Sequence, residues 1–519
     1  MGMSCMAAWT WRIALGGLFA LAIWLRITSL DGIPELNSDE AWYGIQAARL
    51  AMGQKADWFT SSGNLADPFY LALEAPLHWV AKPSVWVLRF PAAASGVLAV
   101  ALTFWLGRRA LGRETASIAA ILMASAPMAI ILCRVGCEFS QTPLIGVIVL
   151  ALAFRACGLG LLLALLAGLA VHPTNIFLVP IALPVFLVNL YRKHTDDPVR
   201  RRRLIAATLA VVGLLGLVFV VATLRRPTVQ DYFSKYYRAL DWAGFLVSFA
   251  RYFFVNVRWF PVPAMIDRLE VGLFWGAFLV GLAVGGVHLV ATRQWDRIAL
   301  VAGLIISVAA FHGIGGSDVL SIPNYRYGAV LVVPTLWTLA CLIQATLPDV
   351  RPGGLMRAPR LRLAAVAVAG WAMLGAAKIQ WFDWFTTNCR ESLWTLKTEE
   401  RDPYQRAWTL IQRDVARNGP RGAATTIIGE NWWYWRPVEY LAVCRKNFRV
   451  VTFAEVWLPP PDNPTGGWTY MNEPNQRKLI ERMRAGAFAV AMPSGFVEQT
   501  LKSAFPPEQL RRWDIPYRL

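Results

Sequence analysis

Residues 88–112 read LRFPAAASGVLAVALTFWLGRRALG. After Arg89 the stretch is almost wholly apolar up to Leu106, and it closes on Arg108 and Arg109, with Arg113 just beyond. Its apolar part approaches the length a helix needs to cross a hydrocarbon core about 30 Å thick. Cations gathered at one end mark a short basic turn on the far side.

The pattern repeats along the chain. Candidate spans lie near 11–30, 84–107, 115–133, 141–156, 158–171, 173–191, 204–224, 271–291, 298–314, 327–346 and 363–381, about eleven in all. The fifth and sixth are short because Pro173, within AGLAVHPTNIFLVP, interrupts what is otherwise one apolar run. The run at 11–30 has neither a basic leader nor a small-residue cleavage site, so it reads as a retained span. Of the 519 residues 56% are hydrophobic and only 16% are charged; soluble domains carry about 25% charged residues. The 24 Trp suit aromatic belts at the bilayer interfaces. The fold class expected is an α-helical polytopic membrane protein.

The formal net charge is +18. Lys and Arg cluster in the turns 107–113, 191–203, 292–297 and 351–362, which places those turns and the N-terminus in the cytoplasm. Orientation and anionic lipid headgroups account for the excess, and no nucleic-acid recognition module accompanies it. The opposite side receives 31–83, 134–140, 225–270 and 315–326, and an odd span count exports the C-terminus. A bacterial inner membrane with a periplasmic C-terminal domain is the expected setting.

From about residue 382 polar residues return. The stretch 402–417 reads as an amphipathic helix, 423–430, 448–454 and 487–493 as strands, 432–443 as a helix and 458–467 as a loop. The expected division is a membrane module, 1–381, and a small exported α/β domain, 382–519.

The first exported loop holds LNSDEAWYG, residues 36–44, where Asp39 and Glu40 stand beside Trp42 and Tyr43. Asp39 follows Ser38 and is placed to cap an amphipathic helix over 40–53, whose aromatic face suits the membrane surface. Other polar groups fall in loops on the same side: Asp67, Glu74, His78, Arg134, Glu138, His172 and Arg326, the last flanked by Tyr325 and Tyr327. Singly, each has a plainer reading: a hydrated loop acid, a cap at a helix break for His172, a snorkelling cation for Arg326. Their shared side is the stronger signal, and it suggests one cavity. Arg and His can hold a phosphate, and a carboxylate can take a proton from an attacking hydroxyl. There is no P-loop, dinucleotide fingerprint, GxSxG elbow or HExxH. The seven cysteines show no metal-ligand spacing, and Cys389 and Cys444 would meet only within an exported tail. No cofactor is called for, and a divalent metal is not indicated.

Four stretches together resemble the GT-C integral-membrane glycosyltransferases, in the branch of protein O-mannosyltransferases and lipid A aminoarabinose transferases. They are LNSDEAWYGIQAARLAMG, DPFYLALEAPLHWV, the Arg-x-Pro span at 88–112, and YRYGAVLVVPTLWTLA at 325–340. The resemblance implies transfer of a sugar from a polyprenyl-phosphate donor to an acceptor on the exported face. By match to its motifs it implies Asp39 as general base with Glu40 and Glu138 supporting. It places Arg326, with Arg134, His172, Tyr325 and Tyr327, at the donor phosphate, and Tyr43, Asp67, Glu74 and His78 around the substrate cavity. The chain departs from the family pattern at Glu138, where an Asp is usual, and at His172, where a Lys is usual. It also has one Pro beside Asp67 instead of two. The acceptor, whether glycan, lipid or protein, and the sugar stay open. A transporter or flippase of lipid-linked sugars is the competing reading, and a non-catalytic scaffold a third; the scarcity of acids within the spans favours the enzyme.

Overall fold

The computed structural model describes residues 2–32, 36–59, 65–200, 202–208 with scattered positions to 216, 241–254, 264–315, 320 and 324–346. In the tail it describes 403–418, 425–429, 432–445, 448–452, 454–456, 469–470, 481, 488–491, 502–506 and 511–513. The expected span at 363–381, Tyr325's side chain, Cys389 and the loop 458–467 lie outside the described residues.

In chain order the helices are α1 (Gly2–Ile27), α2 (Ser38–Ala51), α3 (Pro68–Glu74), α4 (Leu77–Val80), α5 (Val85–Ala110), α6 (Arg113–Ser125), α7 (Pro127–Leu132), α8 (Thr142–Phe154), α9 (Gly158–Val171) and α10 (Val179–Lys193). There follow α11 (Trp242–Phe254), α12 (Ala264–Val280), α13 (Gly286–Ala291), α14 (Trp295–Gly315), α15 (Ala329–Thr346), α16 (Pro403–Asn418) and α17 (Trp432–Ala442). Among the described residues, five stretches are helices long and apolar enough to cross a membrane: Val85–Ala110, Pro173–Lys193, Asp267–Ala291, Trp295–Ile314 and Arg326–Thr346. Together they make this an integral, multi-pass membrane protein. Residues group into two compact units. The first comprises Met1–Arg26, Ala94–Cys133 and Glu138–Phe382; the second comprises Ile27–Ala93, Arg134–Cys137 and Asp383–Leu519.

In the first unit, prolines and small residues set the packing. The expected span 115–133 is two helices, because Pro127 cannot donate to the Met123 carbonyl and the chain turns at Ala126. Arg26, buried in α1, fills that vacancy: Nη2 donates to the Met123 carbonyl at 3.0 Å and Nη1 to the Ala124 carbonyl at 3.3 Å. Pro180 likewise leaves the Phe177 carbonyl without the N–H that the tight turn Pro173–Leu178 would direct to it. Ser307 of α14 supplies the donor at 2.7 Å. One turn earlier, Gly303 lets α14 lie against α10 so closely that a Cβ would sit 2.7 Å from Ile181 Cα. Between α12 and α13, a wide turn at Gly281–Gly285 places Gly285 against the Leu342 carbonyl of α15. Helix α11 lies in a segment read as an exported loop; it buries Phe245, Phe249 and Phe253.

In the second unit, four parallel strands run in the order β2 (Phe448–Thr452), β1 (Thr425–Gly429), β5 (Phe488–Ala491), β6 (Arg511–Trp513). A separate antiparallel pair joins β3 (Ala454–Val456) to β4 (Thr469–Tyr470). Thr425 pairs with Phe448 and Thr426 with Phe488, and α17 makes the crossover that a parallel β1–β2 pair requires. Trp408 and Ile411 of α16, Ile427 of β1 and Val438 and Tyr440 of α17 share one core with Ala41 and Ile45 of α2 and Leu88 of α5.

Candidate functional site

Helix α2 begins two residues earlier than the sequence pattern suggests. Its cap is Asn37, not Asp39: the Asn37 side chain accepts from the Glu40 N–H at 2.9 Å. Asp39 therefore sits in the first turn, half-buried, at the positive end of the helix dipole. The aromatic face does not lie on a lipid surface. Trp42 and Tyr43 are buried within the unit, and Tyr43 stacks edge-on against Tyr70 at 5.6 Å.

Glu40 is the most tightly held side chain of the loop. Arg89 Nε donates to its Oε2 at 2.7 Å and Nη2 to its Oε1 at 3.0 Å. Asn37 Nδ2 adds a bond to Oε1 and the Gly136 N–H one to Oε2, both 2.9 Å. Arg89 also donates to the Leu30 carbonyl at 3.0 Å, and both members of the pair are wholly buried. A carboxylate with this set of donors is a fixed anchor for the first turn of α2, and Asp39 is the acid beside it that is half open to its surroundings.

The remaining candidates in this unit are structural in their contacts. Asp67 caps α3 by accepting from the Phe69 N–H at 2.9 Å, and its own N–H donates to Tyr43 Oη at 3.2 Å. Arg134 is buried and donates to the Thr28 and Ser29 carbonyls at 2.7 and 2.9 Å, closing the chain that follows α1. Glu74 and His78 lie one helical turn apart, with Oε1 and Nε2 3.3 Å from each other. Burial, and then the charge of Glu40, pushes the Glu74 carboxyl well above its ordinary value. Burial lowers His78 to about 4. At neutral pH His78 is therefore uncharged, so the contact is a hydrogen bond and not an ion pair. Tyr440 of α17 packs edge-on to His78 at 5.9 Å and donates to the Ser84 carbonyl at 3.1 Å.

The other candidates belong to the first unit. Tyr327 links two of them: the Arg326 guanidinium lies 5.3 Å from its ring centre and the His172 ring 5.8 Å from it. His172 Nδ1 accepts from the Thr174 N–H at 3.2 Å, which assigns the ring proton of the neutral form to Nε2. Burial, reinforced by Arg326, lowers His172 to about 3. At neutral pH the ring is therefore an uncharged hydrogen-bond donor, and the positive charge beside Tyr327 is that of Arg326. Glu138 opens a short turn, Glu138–Gln141, leading into α8, and is half-buried. Among the described residues no group of three or more His, Cys, Asp or Glu is placed to hold a metal ion.

No protein-family model and no curated protein matches the chain. Solved structures do. ArnT from Cupriavidus metallidurans in the apo state superimposes with a TM-score of 0.51 at 18% identity, over 86% of each chain. The chain shares the fold of that ArnT structure. Two further matches are the same Cupriavidus protein bound to undecaprenyl phosphate (TM-score 0.46, 14% identity, 96% of this chain and 89% of that one) and the archaeal oligosaccharyltransferase AglB from Archaeoglobus fulgidus in complex with an inhibitory peptide and a dolichol-phosphate (0.48, 14%, 83% and 63%). Within this fold, Asn37, Arg89 and the Gly136 N–H are the parts of the Glu40 anchor that the sequence reading did not assign. Arg89 was open to inference, since a lone cation one turn inside an apolar span needs a buried counter-charge. The Gly136 N–H was not, because backbone groups leave no mark on composition.

Proposed function

We propose that this protein is a membrane glycosyltransferase that moves a sugar from a polyprenyl-phosphate-linked donor to an acceptor on the exported face. The observation that carries the reading is the Asp39–Glu40 pair at the head of α2. One acid is locked by Arg89, Asn37 and Gly136; the other is half-buried in the first turn. It is set within a GT-C-like fold. In the proposed reaction an acceptor hydroxyl loses its proton to Asp39, and its oxygen bonds to the anomeric carbon. The bond from that carbon to the phosphate oxygen breaks, and the lipid phosphate leaves as the anion, with inversion. Arg326 is assigned the phosphate charge and His172 a neutral hydrogen bond to it. Glu40 is a positioning residue.

Several features complete the proposal: eleven spans, an N-terminus in the cytoplasm and an exported α/β domain over 382–519 that handles the acceptor. No cofactor is assigned. The transporter reading predicts lipid-linked sugar crossing the membrane without cleavage. The deciding experiment is a single-turnover assay on the purified protein in lipid, with a panel of undecaprenyl-phosphate sugars and a membrane extract as acceptor source. Release of lipid phosphate by the wild type, and loss of at least 100-fold in Asp39→Asn, is expected. Equal turnover by the mutant would remove Asp39 from the mechanism.

A further inference from the structure

Three turns of the first unit are tied together at one end of its helices. Arg297 donates to the Leu111 carbonyl at 2.6 Å, just past α5, and to Gln344 Oε1 near the end of α15 at 2.8 Å. Arg192, at the end of α10, pairs with Asp296 at 3.1 Å and donates to the Arg293 carbonyl at 2.9 Å. These bonds fix the turns after α5, α10 and α13 into one surface. Arg108, Arg109, Arg113, Lys193 and Arg293 are exposed beside these ties, and Arg200, Arg202 and Arg203 are exposed further along the stretch that follows α10. The carboxylates of the same stretches are few: Glu114, Asp196, Asp197 and Asp296. Asp296 is taken by Arg192, and Asp197 accepts the Arg200 N–H at 2.9 Å.

A second observation sets the depth of this surface. Trp105 of α5, Tyr191 of α10 and Trp295 of α14 are 58%, 53% and 48% exposed, and each lies within about a turn of the cations on its own span. Large aromatic rings left open at one level on three spans are the pattern of residues seated among lipid headgroups. The cations just beyond them are then at the height of the headgroup phosphates.

We propose that this surface is a binding collar for anionic phospholipid headgroups, of the phosphatidylglycerol class. The cations of these turns outnumber the carboxylates of the same turns, and Arg donors match phosphate oxygens in pairs. A basic residue near an anionic membrane surface strengthens binding about fivefold. The ties through Arg297 and Arg192 hold the cations of separate turns in one arrangement, so that lipids bridging them also brace the spans.

The test uses the full chain purified in neutral-lipid micelles and titrated with dansyl-labelled phosphatidylglycerol or phosphatidylcholine, read by energy transfer from Trp. The wild type is expected to prefer phosphatidylglycerol, and the preference to shrink in 0.5 M salt, on the order of the screening a Debye length near 4 Å gives. Arg200→Gln with Arg202→Gln and Arg203→Gln should lose about fivefold per charge, whereas Lys at the same three positions should keep most of the preference. If the Gln variant unfolds, Arg108→Gln with Arg109→Gln provides the same reading from another turn. Equal binding of the two lipids by the wild type, or undiminished preference in a folded Gln variant, overturns the proposal. The measurement needs no turnover, so it stands apart from the transferase assignment.

Discussion

Arg89 and Glu40 are both wholly buried, so neither can be changed alone without stranding the other. Removing one member of such a pair costs about 3–5 kcal/mol. Arg89→Leu is therefore expected to lower the thermal unfolding midpoint sharply, while Asp39→Asn, at a half-buried position, should leave it nearly unchanged. A midpoint for Arg89→Leu equal to wild type would contradict the anchor. Glu74 and His78 call for a pH experiment. The Glu74 carboxyl is raised in the folded protein, so its contribution is full below its ordinary value of 4.5 and is lost as pH rises through the raised one. His78 is lowered to about 4 from 6.5, so its contribution is full above 6.5 and is lost as pH falls toward 4. The two slopes oppose each other above 4.5, up to about 6.5. Glu74→Gln should remove the falling slope and leave stability rising with pH between 4.5 and 6.5; melting curves of wild type and mutant at pH 4.5, 5.5 and 6.5 decide it, and an unaltered slope in the mutant sinks the assignment.

The helices of the first unit meet through small residues, and Gly303 is the tightest point of the α10–α14 contact. A Cβ there would lie 2.7 Å from Ile181 Cα and from the Pro180 carbonyl, both backbone positions that cannot swing away. Gly303→Val should cost about 1–3 kcal/mol as overpacking; Gly313→Val in the same helix, where nothing lies within 4 Å, is the control. Equal melting of the two variants would show that the helices yield at that contact. Much of this level was legible beforehand, since apolar length and Pro173 locate the spans around α9 and α10 without a structure. Other features were not. The apolar face of α2 has the same periodicity whether it meets lipid or protein, and only the buried Trp42 and Tyr43 show which. Helix α11 is apolar but, at 13 residues, too short for a span, so length alone sent it to a loop. Pro127 announces a break, but its consequence, a buried Arg26 bonded to the freed carbonyls, depends on a helix about a hundred residues away.

Orientation is a property of the whole chain, because every span fixes the side on which the next begins. The turns 107–113, 191–203 and 292–297, separated by even numbers of expected spans, carry the cations, and the ties from Arg297 to Leu111 and from Arg192 to Arg293 confirm that the three share one end of the first unit. That agreement is independent of charge: a miscounted span between any two of these turns would have put them at opposite ends. It does not by itself say which end is cytoplasmic, and the positive-inside rule supplies that step. Two exposed positions in the same unit test it, Lys193 at the end of α10 and Ala243 at the start of α11. In a background with Cys5, Cys157, Cys389 and Cys444 changed to Ser, Ala243→Cys should react with a membrane-impermeant maleimide on intact cells. Lys193→Cys should react only after the membrane is opened. Reversal of the two would turn the first unit over and carry the cationic collar to the outside.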